Sequence, residues 1–271
     1  AALAGLRAGA GLVSLAGTRE ALLAQAAHVT EVMLDEAAEV PALLAALARK
    51  RARAMVIGPA AGVTAFTRRA VLAALHERPE MALVLDADVF TAFAGRGREL
   101  FAAIVARPGP VVMTPHEGEF ARLFADLAAE DAESKLERAR RAAARAGCTL
   151  LLKGPDTVIV DETGAAIIEA HGPPWLATAG SGDVLSGLIG GLLAQGMAGL
   201  PAAAAAAWAH AEAARLLGAG LVAGELAAPA GRLLAALAGL PTAPPTPPES
   251  HAEAMRRGGA PWPGAPGEDG E

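Results

Sequence analysis

The segment with the greatest capacity for chemistry is Ala177-Thr178-Ala179-Gly180-Ser181-Gly182-Asp183-Val184-Leu185-Ser186-Gly187. Small residues run straight into an apolar helical stretch. Such a loop brings successive backbone N–H groups close to an anion, and the amino end of the following helix adds positive potential. Glycines at 180 and 182 lack the Cβ atoms that would obstruct the approach. Asp183 then falls in the first helical turn, beside the anion. A carboxylate at a helix start is favourable in its own right, but that reading leaves the glycines unexplained. In phosphoryl transfer an aspartate so placed orients the attacking hydroxyl and accepts its proton late. The helix end makes it a weak base, and a loose, metaphosphate-like transition state asks little basicity of it.

Other residues fall where such chemistry needs partners. Lys153 ends the apolar run Thr149–Leu152. The carboxyl end of a strand in an open α/β sheet faces the ligand crevice, where a lysine meets phosphate as a point charge. The plainer alternative is a lysine snorkelling at a strand end. Thr114-Pro115-His116-Glu117 reads as a capping box, with Thr114 as N-cap, Pro115 at the first helical position and Glu117 returning to the cap. That accounts for Thr, Pro and Glu but not for His116. The histidines at 28, 76, 171, 210 and 251 have no comparable context and default to surface or core. Asp86, after an apolar run, either faces the crevice near substrate or metal or caps the next helix. Trp175 either stacks on a nucleotide ring or packs beneath the loop.

These residues must be positioned by alternating strands and helices. Leu12–Ala16, Glu31–Leu34, Ala54–Ile57, Ala82–Leu85, Val111–Thr114 and Thr149–Leu152 read as strands. Several are apolar without alternation, as in a parallel sheet covered on both faces. Helical segments run over Glu20–Ala27, Pro41–Arg51, Val63–Glu77, Pro115–Leu127 and Glu133–Ala146. The order predicts one open, mostly parallel central sheet flanked by helices on both faces. Val158–Val160 and Ala166–Glu169 form a hairpin around Asp161-Glu162-Thr163-Gly164, followed by helices Ser181–Gln195, Pro201–Leu217 and Glu225–Leu240. The opening residues read as the back half of a helix, as though an amino-terminal edge were missing. Residues 241–271 are rich in proline and glycine and read as a disordered tail behind a 1–240 domain.

Composition narrows the classes. The chain has 271 residues, net charge −6 and only 3% aromatics, so its core is built from Ala, Leu and Val. No basic run points to nucleic acid; Arg138, Arg140, Arg141 and Arg145 follow glutamates at helical spacing, as on a solvated face. Val184–Ala211 lacks charge and is long enough to span a bilayer, but its glycines and Pro201 favour two buried helices broken at Gly199–Pro201. Cys148 is the single cysteine, expected buried; with no signal peptide visible, this fits a reducing, cytoplasmic setting.

The stretch Trp175–Gly187 resembles the anion hole and aspartate of the ribokinase-like superfamily. Thr114-Pro115-His116-Glu117-Gly118-Glu119-Phe120 and Leu152-Lys153-Gly154-Pro155-Asp156-Thr157 are similar to the TPHxGEF and KGxxT segments of the ADP-dependent NAD(P)H-hydrate dehydratases. Asp86-Ala87-Asp88 and Leu6–Gly11 fit the same family, and the match runs in order from about residue 1 to 240. The resemblance implies a ribokinase-like fold and repair of hydrated NADH and NADPH (NADHX and NADPHX). The steps are phosphorylation of the hydrate hydroxyl from ADP with Mg2+, then elimination of phosphate. It assigns Asp183 as catalytic. Lys153, Gly154, Pro155, Asp156, Thr157, Gly180, Ser181 and Gly182 go to the nucleotide, with Gly182 against its AMP part, and His116 and Gly62 to the substrate. Gly58-Pro59-Ala60-Ala61-Gly62 departs from the family's GPGxG at Ala60, where a positive φ would strain an alanine by roughly 1 kcal/mol or more. Gly172-Pro173-Pro174 departs again, stiffening the entry to the anion loop. By analogy the family implies a homo-oligomer, often a tetramer, and fusion with an epimerase domain. The rival readings are a ribokinase-like kinase of vitamin precursors and a non-catalytic nucleotide-binding protein; the presence of Asp183 counts against the latter.

Overall fold

The computed structural model describes residues 1–129 and 134–240, so the expected tail lies outside the described residues. Six strands form the main sheet in sequence order: β3 (Ala54–Ile57), β4 (Ala82–Leu85), β5 (Val111–Met113), β6 (Thr149–Leu152), β7 (Thr157–Val160) and β8 (Ala166–Glu169). Pairings from β3 to β6 are parallel, whereas β7 and β8 add antiparallel at the far edge. In contrast to the single sheet expected, β1 (Ser14–Gly17) and β2 (Met33–Glu36) pair with each other as a separate two-stranded parallel sheet. Their residues are mostly exposed or half-buried, so short edge strands of this kind leave little periodic signal of which sheet they join.

Both faces of the main sheet are covered, which explains the unbroken apolar strands. Leu83, Leu85, Val111, Met113, Leu150, Leu152, Val158 and Val160 point into one core. Ala82, Val84, Val112, Leu151 and Ile159 point into the other. The first core is packed by α3 (Val40–Arg49), α4 (Ala65–Glu77), α5 (Asp88–Ala92), α6 (Gly97–Val105), α7 (Glu117–Leu123) and α9 (Lys135–Ala146), and all of the chain's phenylalanines lie in it or against it. The second is packed by α1 (Ala2–Arg7), α10 (Ser181–Ala194), α11 (Gly199–Leu217) and α12 (Ala227–Leu237) and consists almost wholly of Ala, Leu, Val and Ile. Short α2 (Arg19–Ala26) and α8 (Ala125–Ala128) complete the described elements, apart from two 3-10 turns. Helices α5 and α6 have no counterpart in the expected pattern, because their apolar positions merge with β4 and with each other.

The uncharged stretch is divided as its glycines suggested, though the break falls at Gln195–Ala198 and Pro201 sits inside the first turn of α11. Among the described residues no helix is long and apolar enough to cross a membrane. The glycines are contact points. A Cβ at Gly187 would overlap the carbonyl of Ala1, and one at Gly191 would sit 2.6 Å from the carbonyl of Gly5. Bare glycine faces therefore let α1 lie directly on α10. Cys148 is buried, and its burial pushes the thiol pKa up. Arg138 pairs with Glu117, Arg140 with Glu137 and Arg145 with Asp126, in keeping with a charged outer helix face.

Two loops at the carboxyl ends of strands carry strained backbone. Ala60, after β3, has φ 54°, and Ala87, after β4, has φ 45° and ψ −112°. Both values lie where L-residues with a Cβ are disfavoured. Replacing Ala60 by Gly removes a left-handed penalty of roughly 1–2 kcal/mol and adds unfolded-chain entropy worth about 0.4–1 kcal/mol. Ala60→Gly should therefore raise stability by roughly 0.5 kcal/mol, read as a higher denaturant midpoint at unchanged slope. A lower midpoint would show that the loop carries no strain at this position.

Candidate active site

The carboxyl ends of β4, β5 and β6 and the amino end of α10 converge on the ammonium group of Lys153. Its Nζ lies 3.0 Å from Asp86 Oδ1 and 3.7 Å from Glu119 Oε2. Asp86 is 1% exposed and Glu119 9%, so two buried carboxylates hold a cation that keeps 20% of its surface. Gly182 stands against the same group, because a Cβ built there would be 3.5 Å from Lys153 Nζ. Lys153 is thus an ion-paired crevice lysine and not a side chain snorkelling to solvent. Asp86 likewise resolves to the crevice: the N-cap of α5 is Ala87, with no side-chain cap bond, and Asp86 Oδ2 accepts instead from Ser186 Oγ at 2.5 Å.

The loop before α10 is built from bare backbone. Gly180 is the N-cap of α10 in the left-handed region, φ 86°, with no side-chain cap. Ser181 N–H bonds the carbonyl of Thr178 and Val184 N–H that of Gly180, while the N–H groups of Gly182 and Asp183 meet no acceptor among the described residues. These are the unsatisfied donors of a helix start. Asp183, in the first turn, is half-buried and makes no hydrogen bond or ion pair among the described residues. Burial raises its pKa above the usual carboxylate value; Asp86 and Asp88 act in the same direction and Lys153 against them. The helix start alone predicts a weak base, but desolvation and two neighbouring carboxylates outweigh it.

His116 is corrected in its local role. Helix α7 starts at Glu117, and its N-cap is His116, not Thr114. The ring Nδ1 accepts from Gly118 N at 3.0 Å and Glu119 N at 3.3 Å, and Glu119 Oε2 accepts from His116 N at 2.9 Å. The returning residue is therefore Glu119 and not Glu117. Thr114 instead continues the ladder of β5, its N–H and hydroxyl both bonding the carbonyl of Leu85. An imidazole nitrogen serves as a cap acceptor where a serine oxygen is usual, so a box sought by Ser/Thr residue type falls two positions early. The ring is 54% exposed at the mouth of the site, and a β-bridge joins His116 to Lys153.

The remaining candidates surround this centre. Lys153-Gly154-Pro155-Asp156 forms the turn between β6 and β7, with Thr157 opening β7. Lys135, absent from the sequence reading, bonds the carbonyl of Asp156 and lies 3.3 Å from its carboxylate. Gly62, φ 78°, has both backbone groups engaged: its N–H donates to Asp88 Oδ2 at 2.8 Å and its carbonyl accepts from Thr67 Oγ1 at 2.6 Å. It therefore has no free backbone donor. Trp175 donates its indole N–H to the carbonyl of Ala214 and stays 38% exposed. The cavity of about 770 Å³ lined by Arg53, Arg78, Glu80 and Met197 lies at the opposite, amino ends of the strands.

Sequence reasoning missed Ser186, Glu119, Asp88 and His210. Ser186 is the sixth residue of α10, within its apolar run, and its polarity there was the only available signal. His210, 6% exposed on α11, is buried against the backbone of Ser181, and its Nε2 has no partner among the described residues. Burial lowers its pKa from 6.5 to about 4, with the Ser181 backbone opposing and Lys153 adding to the shift.

A neutral buried histidine makes folding pH-dependent. The unfolded chain takes up this proton below pH 6.5 and the folded chain only near pH 4. Stability should fall across that window by roughly 3 kcal/mol. Chemical unfolding of His210→Leu against the parent should show a difference that shrinks as the pH drops through this range; a difference constant with pH would exclude the buried neutral state.

Comparison with known proteins bears on the family and the fold. Over 220 residues the chain is 40% identical to the bifunctional NAD(P)H-hydrate repair enzyme Nnr of Moorella thermoacetica, covering 78% of this chain and 40% of that protein. The Nnr of Mycobacterium leprae is 39% identical over 199 residues, 72% of this chain and again 40% of the relative. The chain therefore spans two-fifths of the length of these relatives. Among solved structures, the ADP/ATP-dependent NAD(P)H-hydrate dehydratase of Bacillus subtilis, co-crystallised with ATP and Mg2+, superposes with a TM-score of 0.71 at 28% identity, covering 86% of this chain and 83% of the other. A ribokinase-like protein of Enterococcus faecalis gives the same TM-score at 24% identity and bears on the fold alone. The fold is ribokinase-like, and with the NAD(P)H-hydrate dehydratase family model matching residues 1–235, the chain belongs to that family.

Proposed function

We propose that this chain restores hydrated NADH and NADPH by ADP-dependent dehydration. The observation that carries the reading is the meeting of Lys153, the open N–H groups of Gly182 and Asp183, and the unpaired Asp183 carboxylate at one helix start. The first two suit a phosphate chain. The third suits a hydroxyl that attacks phosphorus. Asp183 takes the hydroxyl proton as the terminal phosphoryl group of ADP moves to the hydrate oxygen and AMP leaves. The ring nitrogen lone pair then expels phosphate, and loss of a proton from the adjacent carbon restores the double bond. Phosphate leaves far more readily than hydroxide, which is the reason a nucleotide is consumed. His116 at the mouth and Gly62 beside Asp88 line the substrate side; the 153–157 turn, held by Lys135, lines the nucleotide.

Carboxylates outnumber the lysine in this crevice, so a phosphate chain needs further positive charge. Among the described residues no group of three His, Cys, Asp or Glu can hold a metal ion. Mg2+ would rest chiefly on the phosphate oxygens that arrive with it, as it often does, with Asp183 as the carboxylate facing it. Its chemistry there is to neutralise charge between phosphate and Asp183. The bifunctional names of relatives more than twice as long as the matched segment support pairing with an epimerase; a homo-oligomer and a cytoplasmic setting belong to the same reading by resemblance alone.

Incubation with hydrated NADH, Mg2+ and either ADP or ATP should regenerate NADH absorbance; no recovery with either nucleotide would remove the reading. Asp183→Asn should abolish turnover while nucleotide binding stays nearly intact, and lost binding would make Asp183 structural. The acid limb of the parent's rate profile should lie above the ordinary carboxylate pKa, because the base must be ionised and burial raises its pKa. Lys153→Ala should weaken nucleotide affinity about tenfold or more; unchanged affinity in a titration would refute its assigned contact.

A further inference from the structure

Ser186 is completely buried on α10, one turn beyond the anion loop, and its hydroxyl faces two acceptors. Asp86 Oδ2 lies at 2.5 Å and the carbonyl of Gly182 at 3.0 Å. A hydroxyl has one proton to donate. A helical serine ordinarily gives it to the carbonyl four residues back. Here the nearer acceptor is a carboxylate, and hydrogen bonds to charged acceptors are shorter and about twice as strong. The proton therefore goes to Asp86.

This closes a ring of contacts across the sheet. Asp86 is 1% exposed, with one oxygen on Ser186 and the other on Lys153 Nζ at 3.0 Å. Lys153 Nζ in turn lies against Gly182, whose carbonyl belongs to the turn that carries Ser186. The same helix thus presents the backbone that receives an anion and the hydroxyl that orients the counter-ion of the anion-binding lysine. We propose that Ser186 is a positioning residue for nucleotide binding: by fixing Asp86 it sets the Lys153 ammonium at the anion loop. Without the hydroxyl, Asp86 Oδ2 is a buried oxygen without a donor. The carboxylate then turns to share both oxygens with Lys153 and draws the ammonium away from Gly182. The inference rests on the reading of the loop as a nucleotide site.

A double-mutant cycle tests it, with ADP and Mg2+ titrated calorimetrically into the parent, Ser186→Ala, Lys153→Met and the double variant. Ser186→Ala should weaken ADP about tenfold. In the Lys153→Met background the same change should have almost no effect, because the group it positions is gone. Ser186→Cys, close to serine in volume but a weak donor, should match Ser186→Ala and serves if the alanine variant fails to fold. A full tenfold loss on top of Lys153→Met would show that Ser186 acts on packing alone and would overturn the proposal, as would parent-like affinity in Ser186→Ala or Ser186→Cys. Absence of ADP binding by the parent itself would overturn the nucleotide reading together with this inference, and so is distinguishable from failure of the inference alone.

Discussion

An ammonium group drawn out of bulk water is stable only while carboxylates stay beside it, and Lys153 is held in this way by Asp86 and Glu119. Breaking one partner of such a pair leaves an uncompensated charge, which is why these geometries are fixed tightly. The pair fixes more than itself. Asp86 follows β4, Glu119 sits in the first turn of α7 after β5, and Lys153 follows β6. Three neighbouring parallel strands must therefore end in register for the charges to meet. The hydrogen bond from Lys153 N–H to the carbonyl of Pro115, 2.8 Å, is the backbone expression of that register.

Strain and small residues serve the same arrangement. The turn at Ala87 lets two aspartates separated by one residue do different work: Asp86 reaches across to β6 and α10, while Asp88 accepts from Gly62 in the loop after β3. At Gly58 a Cβ would overlap the carbonyl of Asp86, so the two loops touch through backbone. Sites of strained φ persist where the surroundings over-determine them, and here three loops share one set of carboxylates.

The two faces of the sheet solve different packing problems. Phenylalanines fill the core beneath α4 to α9, whereas the core beneath α10 and α11 is made almost wholly of alanine, leucine, valine and isoleucine. Small side chains allow α10 to approach β3 until Gly190 touches Val56, and α11 to approach β6 until Gly199 touches Thr149. Close approach brings the amino end of α10 level with the strand ends. It also buries His210 beneath the loop, where its imidazole stays neutral near Lys153 and adds no second positive charge.

By itself the sequence pointed to the covered parallel sheet, because short apolar runs without alternation recur between helical segments, as βαβ units require. It also marked the bare glycine turn before an apolar helix, which Ser181-Gly182-Asp183 opens. Gly180, Gly182 and Lys153 were legible as candidates because paired glycines at a helix start and a lysine closing an apolar strand are unusual, and Asp183 because it follows those glycines. Tertiary structure alone decided which groups meet. Asp86 and Ser186 are 100 residues apart, and nothing local marks either as the other's partner. The cap at His116 and the buried state of His210 were equally invisible, since both depend on where neighbouring backbone lies. The separate pairing of β1 with β2 was decided there too, because strand pairing is a long-range choice that local residue patterns do not encode.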